Sequence, residues 1–305
     1  MADKITIFYK YVKLQDPHAV MFWQRSLCEK LGLTGRILIG EEGINGTVGG
    51  SERSIRCYVR EMKQYEPFKN IDFKFSLCHR QPFPRLSVKV RKEIVVLGID
   101  PKELSHEHGG KHLSPKQVHE LLAANPSDLV ILDTRNECEV AVGRFAGAVD
   151  TKIKHFREFP KYIEDNLESF RDKQVLMYCT AGIRCERATA VLKVKNVAKE
   201  VFQIKGGIHR YIENYPNGFF RGKNYVFDNR ITVKVNDDII GKCALCHKAC
   251  DDYTNCLNAL CNKHFICCAD CLASQNSCCS EKCLQLVEGK KTVIRQQRNH
   301  LAANR

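Results

Sequence analysis

One stretch of the chain decides the fold, and it reads Val175-Leu176-Met177-Tyr178-Cys179-Thr180-Ala181-Gly182-Ile183-Arg184-Cys185. The first four residues are apolar, as in a strand that is covered on both faces of a parallel sheet. The residues from Glu186 to Lys195 have the pattern of a helix. A cysteine between such a strand and such a helix lies where backbone N–H groups and the helix dipole favour an anion.

Cys179 is therefore the first candidate for a reactive thiolate, and Cys185 is the second. Gly182 lets the loop curl, and Arg184 adds a cation of the kind that lowers a thiol pKa. A cysteine after a buried strand can also be an inert apolar residue, but these neighbours favour a reactive one. Only four residues separate Cys179 from Arg184, one fewer than in the phosphate-binding loop of cysteine phosphatases, so the smaller ring favours a sulfur atom.

The composition is that of a globular chain with a basic charge. Its 305 residues, 44% of them apolar, suffice for two or three domains with packed cores. The sequence has no apolar run of about eighteen residues and no signal-peptide pattern at its start, so we expect a cytoplasmic protein without membrane association. A net charge of +13 indicates a polyanionic partner, nucleic acid first, although an even spread of solvated charge is the alternative.

Sequence patterns divide the chain into four parts, 1–98, 99–113, 114–222 and 223–305. In the first part the order βαββαβ predicts a ferredoxin-like α+β domain. The predicted elements are strands at 4–12, 35–39, 72–77 and 86–97, helices at 17–31 and 51–65, and a glycine-rich turn after residue 39. The second part is polar and is interpreted as a linker, and its histidines at positions 106, 108 and 112 are given no role.

The third part alternates strands with helices, which predicts a doubly wound parallel sheet with its site at the carboxyl ends of the strands. Strands are expected at 129–132, 175–178 and 200–204. Asp133 and Arg135 follow the first of these strands. Either a catalytic role or a structural ion pair is open to them, and an ion pair that supports the loops is favoured because buried charges are usually paired.

Six motifs follow one another along the chain: Gly40–Gly50, Asp133–Glu137, Phe156–Pro160, Met177–Arg187, Lys205–Gly207 and Val226–Arg230. Together, and in this order, they resemble the bacterial rhodanese-domain tRNA uridine hydroxylases. The resemblance implies a rhodanese fold for the third part and a tRNA partner. It also implies formation of 5-hydroxyuridine at the wobble position, with molecular oxygen as co-substrate, and makes Cys179 the position of a cysteine persulfide.

Basic and polar residues of the first part are candidates for contact with RNA. They are Arg36, Asn45 and Lys63. Asn45 lies in the segment from Glu41 to Thr47, whose glycines and asparagine suit a nucleotide-contacting loop and a tight hairpin equally well. Solvated surface charge is the alternative for Arg36 and Lys63.

The fourth part has eleven of the seventeen cysteines, and eight of them form closely spaced pairs. The pairs are Cys243 with Cys246, Cys256 with Cys261, Cys268 with Cys271, and Cys279 with Cys283. Eight thiolates fill two closed tetrahedral zinc sites, so a structural zinc module is predicted in preference to disulfides. The pairing between sites stays open, as does the choice within Cys267-Cys268 and Cys278-Cys279. A basic tail with Lys290, Lys291, Arg295, Arg298 and Arg305 follows and could add to tRNA binding.

Three functions remain open at this point. The first is the tRNA uridine hydroxylase, with a sulfur donor or a reductant as a candidate further partner, and we find no motif of an organic cofactor for it. The second is a sulfurtransferase that passes persulfide sulfur to small thiols or proteins. The third is a non-catalytic, zinc-stabilised RNA-binding adaptor. The intact Cys179, Gly182 and Arg184 favour an enzyme.

Overall fold

The structure is a computed structural model that describes residues 3–78 and 81–295. Two predicted basic residues, Arg298 and Arg305, lie outside the described residues. The chain divides into two compact units. The first comprises Met1–Asn136 and Gly147–Tyr215, and the second comprises Glu137–Ala146 and Pro216–Arg305. Among the described helices, none is long and apolar enough to cross a membrane.

The N-terminal part of the first unit is a five-stranded sheet with two helices on one face. The strands are β1 (Asp3–Tyr11), β2 (Thr34–Gly40), β3 (Gly43–Ser51), β4 (Asp72–Cys78) and β5 (Leu86–Val90), and the helices are α1 (Pro17–Lys30) and α2 (Glu52–Gln64). The order β4-β1-β3-β2 is the antiparallel ferredoxin-like core, and β5 joins it parallel to β2. The predicted ferredoxin-like fold is confirmed.

Local sequence explains where the two helices of this part begin. The Asp16 carboxylate accepts hydrogen bonds from the N–H groups of His18 and Ala19, and Pro17 occupies the first turn of α1. The Ser51 hydroxyl accepts from the N–H of Ser54 at the start of α2. Both helices pack on the sheet face that carries Phe8, and the opposite face is left for other contacts.

Two predicted elements of this part differ from the structure. The glycine-rich segment is mostly strand β3, which pairs with β1. Its glycines allow this pairing, since Gly43 lies closer to the Lys10 carbonyl than any larger residue could. The strand predicted at 86–97 ends at Val90. Beyond it, the carboxylates of Glu42 and Glu93 accept backbone N–H groups of Ile94 and Leu97, which replaces a strand partner.

The rest of the first unit is a parallel sheet in the order β6-β11-β10-β7-β9. Its strands are β6 (Lys111–Leu113), β7 (Leu129–Asp133), β9 (Val149–Asp150), β10 (Gln174–Tyr178) and β11 (Glu200–Ile204). The helices are α3 (Pro115–Ala124), α5 (Phe159–Asp165), α6 (Ile183–Lys193) and α7 (Gly207–Asn214). Central strand β10 is buried from Val175 to Tyr178, which matches its continuous apolar sequence.

The segment interpreted as a linker is more structured than its composition indicates. Its last residues form β6, which pairs with β11. Gly110 lies against α6, where its N–H donates to the Thr189 hydroxyl at 2.8 Å. These contacts are made with residues far along the chain, so a polar local sequence did not indicate them.

The second unit is built from short strands and a cysteine-rich core. Its elements are α4 (Glu137–Val140), β8 (Gly143–Phe145), β12 (Phe220–Tyr225), β13 (Thr232–Lys234), β14 (Tyr253–Asn255), β15 (His264–Ile266), α8 (Ala269–Ser274) and α9 (Glu281–Glu288). The boundary predicted at residue 223 falls inside β12, which pairs with β8 from earlier in the chain. Seven buried cysteines contribute to the core, together with few large apolar side chains.

Candidate active site

Cys179 lies directly after β10, at the carboxyl end of the central strand of the parallel sheet. Its side chain is buried, with 1% of the residue exposed. The backbone N–H of Gly182 donates to the Cys179 Sγ at 3.2 Å. Gly182 adopts a φ of 103°, which turns the chain into α6. The loop therefore curls around the sulfur as its sequence predicts.

The surroundings of Cys179 favour the thiolate over the thiol. Burial by itself opposes the charge, but the Cys185 thiol, the Arg184 guanidinium and the N–H groups of both residues outweigh burial and lower the pKa of Cys179 to about 6. Burial and the Cys179 charge raise the pKa of Cys185 far above its ordinary value. The Cys185 thiol therefore stays protonated and stabilises the Cys179 thiolate.

A threonine that the sequence patterns did not single out contacts this pair. Thr134 follows β7, its N–H and hydroxyl both donate to the Tyr178 carbonyl, and its Oγ1 lies 3.7 Å from the Cys185 Sγ. Because the carboxyl ends of β7 and β10 are neighbours in the sheet, the two loops meet here. Thr134 fixes the end of β10 immediately before Cys179.

Asp133 and Arg135 bond to each other on either side of this threonine. The Arg135 Nε and Nη2 donate to the Asp133 carboxylate at 2.9 and 2.6 Å, and both side chains are fully buried. Such a bidentate pair holds the loop after β7 in one conformation.

The start of α7 supports the Cys179 loop from below. The N–H groups of Ile208 and His209 donate to the carbonyls of Cys179 and Thr180, each at 3.0 Å. Gly207 has a φ of 66°, and a Cβ at this position would lie 2.5 Å from the Cys179 carbonyl oxygen. A glycine is required here, which accounts for the Lys205–Gly207 motif.

The ferredoxin-like sheet covers the other side of the loop, through the face opposite its helices. Tyr9 of β1 donates from its hydroxyl to Glu186 at 2.9 Å, and a Cβ added at Gly182 would lie 2.7 Å from that hydroxyl. Glu186 also accepts from Gln203 at 3.2 Å and bonds His112 at 3.1 Å. Burial opposes the Glu186 charge, but these partners lower its pKa.

The sequence patterns also gave no indication of other residues between the ferredoxin-like sheet and the Cys179 loop. Lys74 of β4 is buried beside the same loops, and His106 stacks on Tyr11 with ring centroids 4.4 Å apart. The only local signal was that Glu186 follows Cys185. The others come from strands and a polar segment whose contacts with the parallel sheet are not visible in the sequence.

The three RNA-contact candidates occupy different places. Strand register places Arg36 and Asn45 on the sheet face that carries Tyr9. Arg36 is exposed, whereas the Asn45 amide donates to the Ile94 carbonyl at 2.8 Å. Lys63 is exposed near the end of α2, which packs on the opposite face.

The cysteine-rich unit brings its eight predicted ligands together as two groups of four that could each hold a metal ion. One group is Cys243, Cys246, Cys268 and Cys271, and the other is Cys256, Cys261, Cys279 and Cys283, with sulfur atoms within 4.8 Å of one another. The groups alternate along the chain. The pair Cys243 and Cys246 combines with Cys268 and Cys271, and the intervening pair Cys256 and Cys261 combines with Cys279 and Cys283. Cys268 and Cys279 belong to these groups, whereas their neighbours Cys267 and Cys278 do not.

Two other side chains of the cysteine-rich unit that could in principle bind a metal make different contacts. His264 bonds Tyr225 and Asn255 through its two ring nitrogens. Cys267 donates to the Cys268 carbonyl. No disulfide joins any cysteine of the described residues.

Comparison with known proteins agrees with this architecture. Residues 4–94 match the family model of the UPF0176 acylphosphatase-like domain, residues 114–214 match the rhodanese-like domain, and residues 221–284 match the rhodanase C-terminal model.

Curated relatives match along nearly the whole chain. A tRNA uridine(34) hydroxylase of Corynebacterium jeikeium is 40% identical over 294 residues, which are 93% of this chain and 94% of the relative. That of Corynebacterium urealyticum is 42% identical over 288 residues, 92% and 96% of the two chains. That of Pseudarthrobacter chlorophenolicus is 42% identical over 284 residues, 89% and 95%. The resemblance seen in the six motifs is confirmed, and the chain belongs to the tRNA uridine(34) hydroxylase family.

Proposed function

We propose that this chain hydroxylates carbon 5 of the wobble uridine of tRNA, with molecular oxygen as co-substrate and Cys179 as the reacting group. The observation that carries the proposal is a buried cysteine with a lowered pKa, in a chain about 40% identical over its length to tRNA uridine(34) hydroxylases. The reduced thiols and the tRNA substrate also lead us to propose a cytoplasmic location.

Cys179 supplies a nucleophile of the kind that pyrimidines accept. A thiolate adds to carbon 6 of uracil, which places electron density on carbon 5 and prepares that carbon for oxygen. Elimination of the thiolate and loss of the carbon 5 proton then restore the double bond. One oxygen atom enters the base and the other leaves as water, so the reaction takes up two electrons and two protons, for which we propose a thiol reductant.

The residues around Cys179 have defined roles in this proposal. The Gly182 N–H, 3.2 Å from the sulfur, and the Arg184 guanidinium hold the negative charge on the sulfur, whether thiolate or persulfide. Cys185 stays protonated and donates to that charge. Asp133 and Arg135 hold the neighbouring loop. Because the loop lies under Tyr9, we infer that a uracil base reaches the sulfur when this side chain moves aside.

We propose that tRNA approaches along the sheet face of Tyr9. Single-stranded RNA loops present unstacked bases, so an anticodon loop can direct one base toward a buried site. Exposed Arg36 on this face can contact the phosphate backbone. Asn45 instead holds the segment after β5 in place through its bond to the Ile94 carbonyl. Lys63 lies on the opposite, helical side of the sheet, so it contacts only a tRNA that extends past the edge of the sheet.

We propose zinc as the metal of both cysteine groups, with a structural role. A zinc–sulfur bond of about 2.3 Å places tetrahedral sulfur atoms about 3.8 Å apart. The sulfur pairs Cys246–Cys268 and Cys261–Cys279 are 3.6 and 3.5 Å apart. Four thiolates at each site leave no position for water or substrate, so the metal would stabilise a unit whose apolar core is small.

The test is mass spectrometry of nucleosides from unmodified tRNA that has been incubated with the protein and a thiol reductant in air. We expect 5-hydroxyuridine with the wild type and with Cys57→Ala, a control at a half-buried cysteine of α2, and none with Cys179→Ala or without oxygen. Sulfur transfer from thiosulfate without any uridine product would instead assign the chain as a sulfurtransferase. Tight tRNA binding with neither activity would assign it as an adaptor.

A further inference from the structure

The strongest feature that the proposed function leaves unused is a buried lysine from the ferredoxin-like sheet. The Lys74 side chain is 1% exposed, and a lysine is rarely so buried without a partner. Its ammonium pairs with the Asp72 carboxylate at 2.9 Å. That carboxylate is shared, because Arg210 donates to its other oxygen at 2.6 Å, and Arg210 in turn pairs with Glu213.

Lys74 lies against the turn that supports the Cys179 loop. A Cβ added at Gly206 would lie 3.4 Å from the Lys74 Cε, and a Cβ at the next residue, Gly207, would lie 2.5 Å from the Cys179 carbonyl oxygen. The Lys74 ammonium is 5.3 Å from the centre of the Tyr9 ring. Lys74 and Tyr9 therefore approach the loop together, from neighbouring strands of one sheet.

The positive charge of Lys74 acts on the Cys179 sulfur through the buried interior, where electrostatic interactions are weakly screened. Burial lowers the pKa of Lys74, whereas the charges of Asp72 and the Cys179 thiolate raise it. The same interaction stabilises the thiolate. Arg184 and Cys185 of α6 also act on the Cys179 charge. Tyr9 and Tyr11 of β1 stay neutral, because burial first and the Cys179 charge among other causes raise the pKa of both phenols, and Tyr9 donates to the Glu186 carboxylate.

We propose that Lys74 is a positioning residue of the active site, which the ferredoxin-like domain contributes to keep the Cys179 sulfur anionic. The proposal rests on the proposed function only in taking Cys179 as the reacting group. The alternative is that Lys74, Asp72 and Arg210 only join the two sheets. A purely mechanical contact affects stability without changing the acidity of the thiol, so the two roles are separable by experiment.

The experiment measures alkylation of Cys179 by iodoacetamide in the full-length protein from about pH 5 to about pH 10, where the thiol titrates. Mass spectrometry of the Cys179 peptide gives the rate. Burial of the sulfur limits the plateau rate at high pH, whereas charge sets the midpoint, so access and acidity are measured separately. The variants are Lys74→Met, Lys74→Arg and, as a control, Lys89→Met at an exposed lysine on the far edge strand of the same sheet.

We expect Lys74→Met to shift the midpoint upward by a few tenths of a pH unit, which is roughly a two- to threefold lower rate below the wild-type midpoint. Lys74→Arg and Lys89→Met should keep the wild-type midpoint. An unchanged midpoint in folded Lys74→Met would overturn the proposal. If Lys74→Met does not fold, Lys74→Gln replaces it, and failure of both to fold would assign Lys74 to stability alone. The assay contains no tRNA, so its result is independent of whether Cys179→Ala loses hydroxylation.

Discussion

The contact between Gly207 and the Cys179 loop predicts a large effect of a single methyl group. In Gly207→Ala the new Cβ would lie 2.5 Å from the Cys179 carbonyl oxygen, 2.7 Å from the Gly182 nitrogen and 2.8 Å from the Thr180 carbonyl oxygen. All three atoms are backbone, so no side chain can rotate away. The φ of 66° adds about 1–2 kcal/mol for any residue with a Cβ, and overpacking adds about 1–3 kcal/mol.

Gly32→Ala is the matched control for this substitution. Gly32 has a φ of 63°, but a Cβ there would meet nothing within 4 Å, so only the cost of about 1–2 kcal/mol for the backbone conformation applies. Since 1 kcal/mol shifts the Tm of a domain of this size by roughly 2–4 °C, Gly207→Ala should melt roughly 5 °C below Gly32→Ala. Thermal unfolding by circular dichroism measures this difference.

The same pair of variants also tests the link between this turn and the thiol. Gly207→Ala displaces the loop that holds the sulfur, so alkylation of Cys179 should fall at least about tenfold, a change typical of a misplaced reacting group. Gly32→Ala should alkylate like the wild type. Equal melting temperatures for the two variants, together with wild-type reactivity in Gly207→Ala, would refute the reasoning.

Three other predictions follow from the contacts of single side chains. Cys185→Ala removes the thiol that supports the charge, so the pH midpoint of Cys179 alkylation rises from about 6, and an unchanged midpoint would contradict this. Cys246→Ser lowers the zinc content, measured by plasma mass spectrometry, from two ions per chain to one, whereas Cys267→Ala retains both; equal loss in the two variants would reject the ligand assignment. A carboxylate partner raises the pKa of His112, so its stabilisation is complete below the ordinary His pKa and is lost as the pH rises through the raised value. Chemical denaturation should therefore show a larger destabilisation by His112→Ala at about pH 5.5 than at about pH 8.5. A larger destabilisation at about pH 8.5 would exclude a stabilising ion pair between His112 and Glu186.

The parts of the site that one continuous segment encodes could be predicted from the sequence. An apolar strand, a cysteine, a glycine and an arginine within eleven residues predicted the curled loop around Cys179, and the structure shows Gly182 donating to the sulfur. The eight cysteines that gather into two groups able to hold a metal ion were likewise predicted, because short cysteine spacings are a local property. Their division into two groups depends on how distant segments meet, and only the structure shows it.

Contacts between the two sheets of the first unit could not be predicted in this way. Tyr9 and Lys74 belong to strands whose alternation shows that two faces exist, but not what covers the second face. His112 lies in a polar segment that resembles a linker until β6 pairs with β11. In each case the decisive interaction joins residues more than sixty positions apart, such as Tyr9 with Glu186.

The most direct test of the central claim, that Cys179 directs oxygen into the tRNA wobble uridine, uses isotopically heavy oxygen gas. Wild-type protein, unmodified tRNA and a thiol reductant are incubated under this gas, and the mass of the wobble nucleoside is measured by mass spectrometry. We predict 5-hydroxyuridine that carries the heavy isotope with the wild type and no product with Cys179→Ser. Heavy product from Cys179→Ser at the wild-type rate, or a product whose oxygen comes from water, would contradict the account.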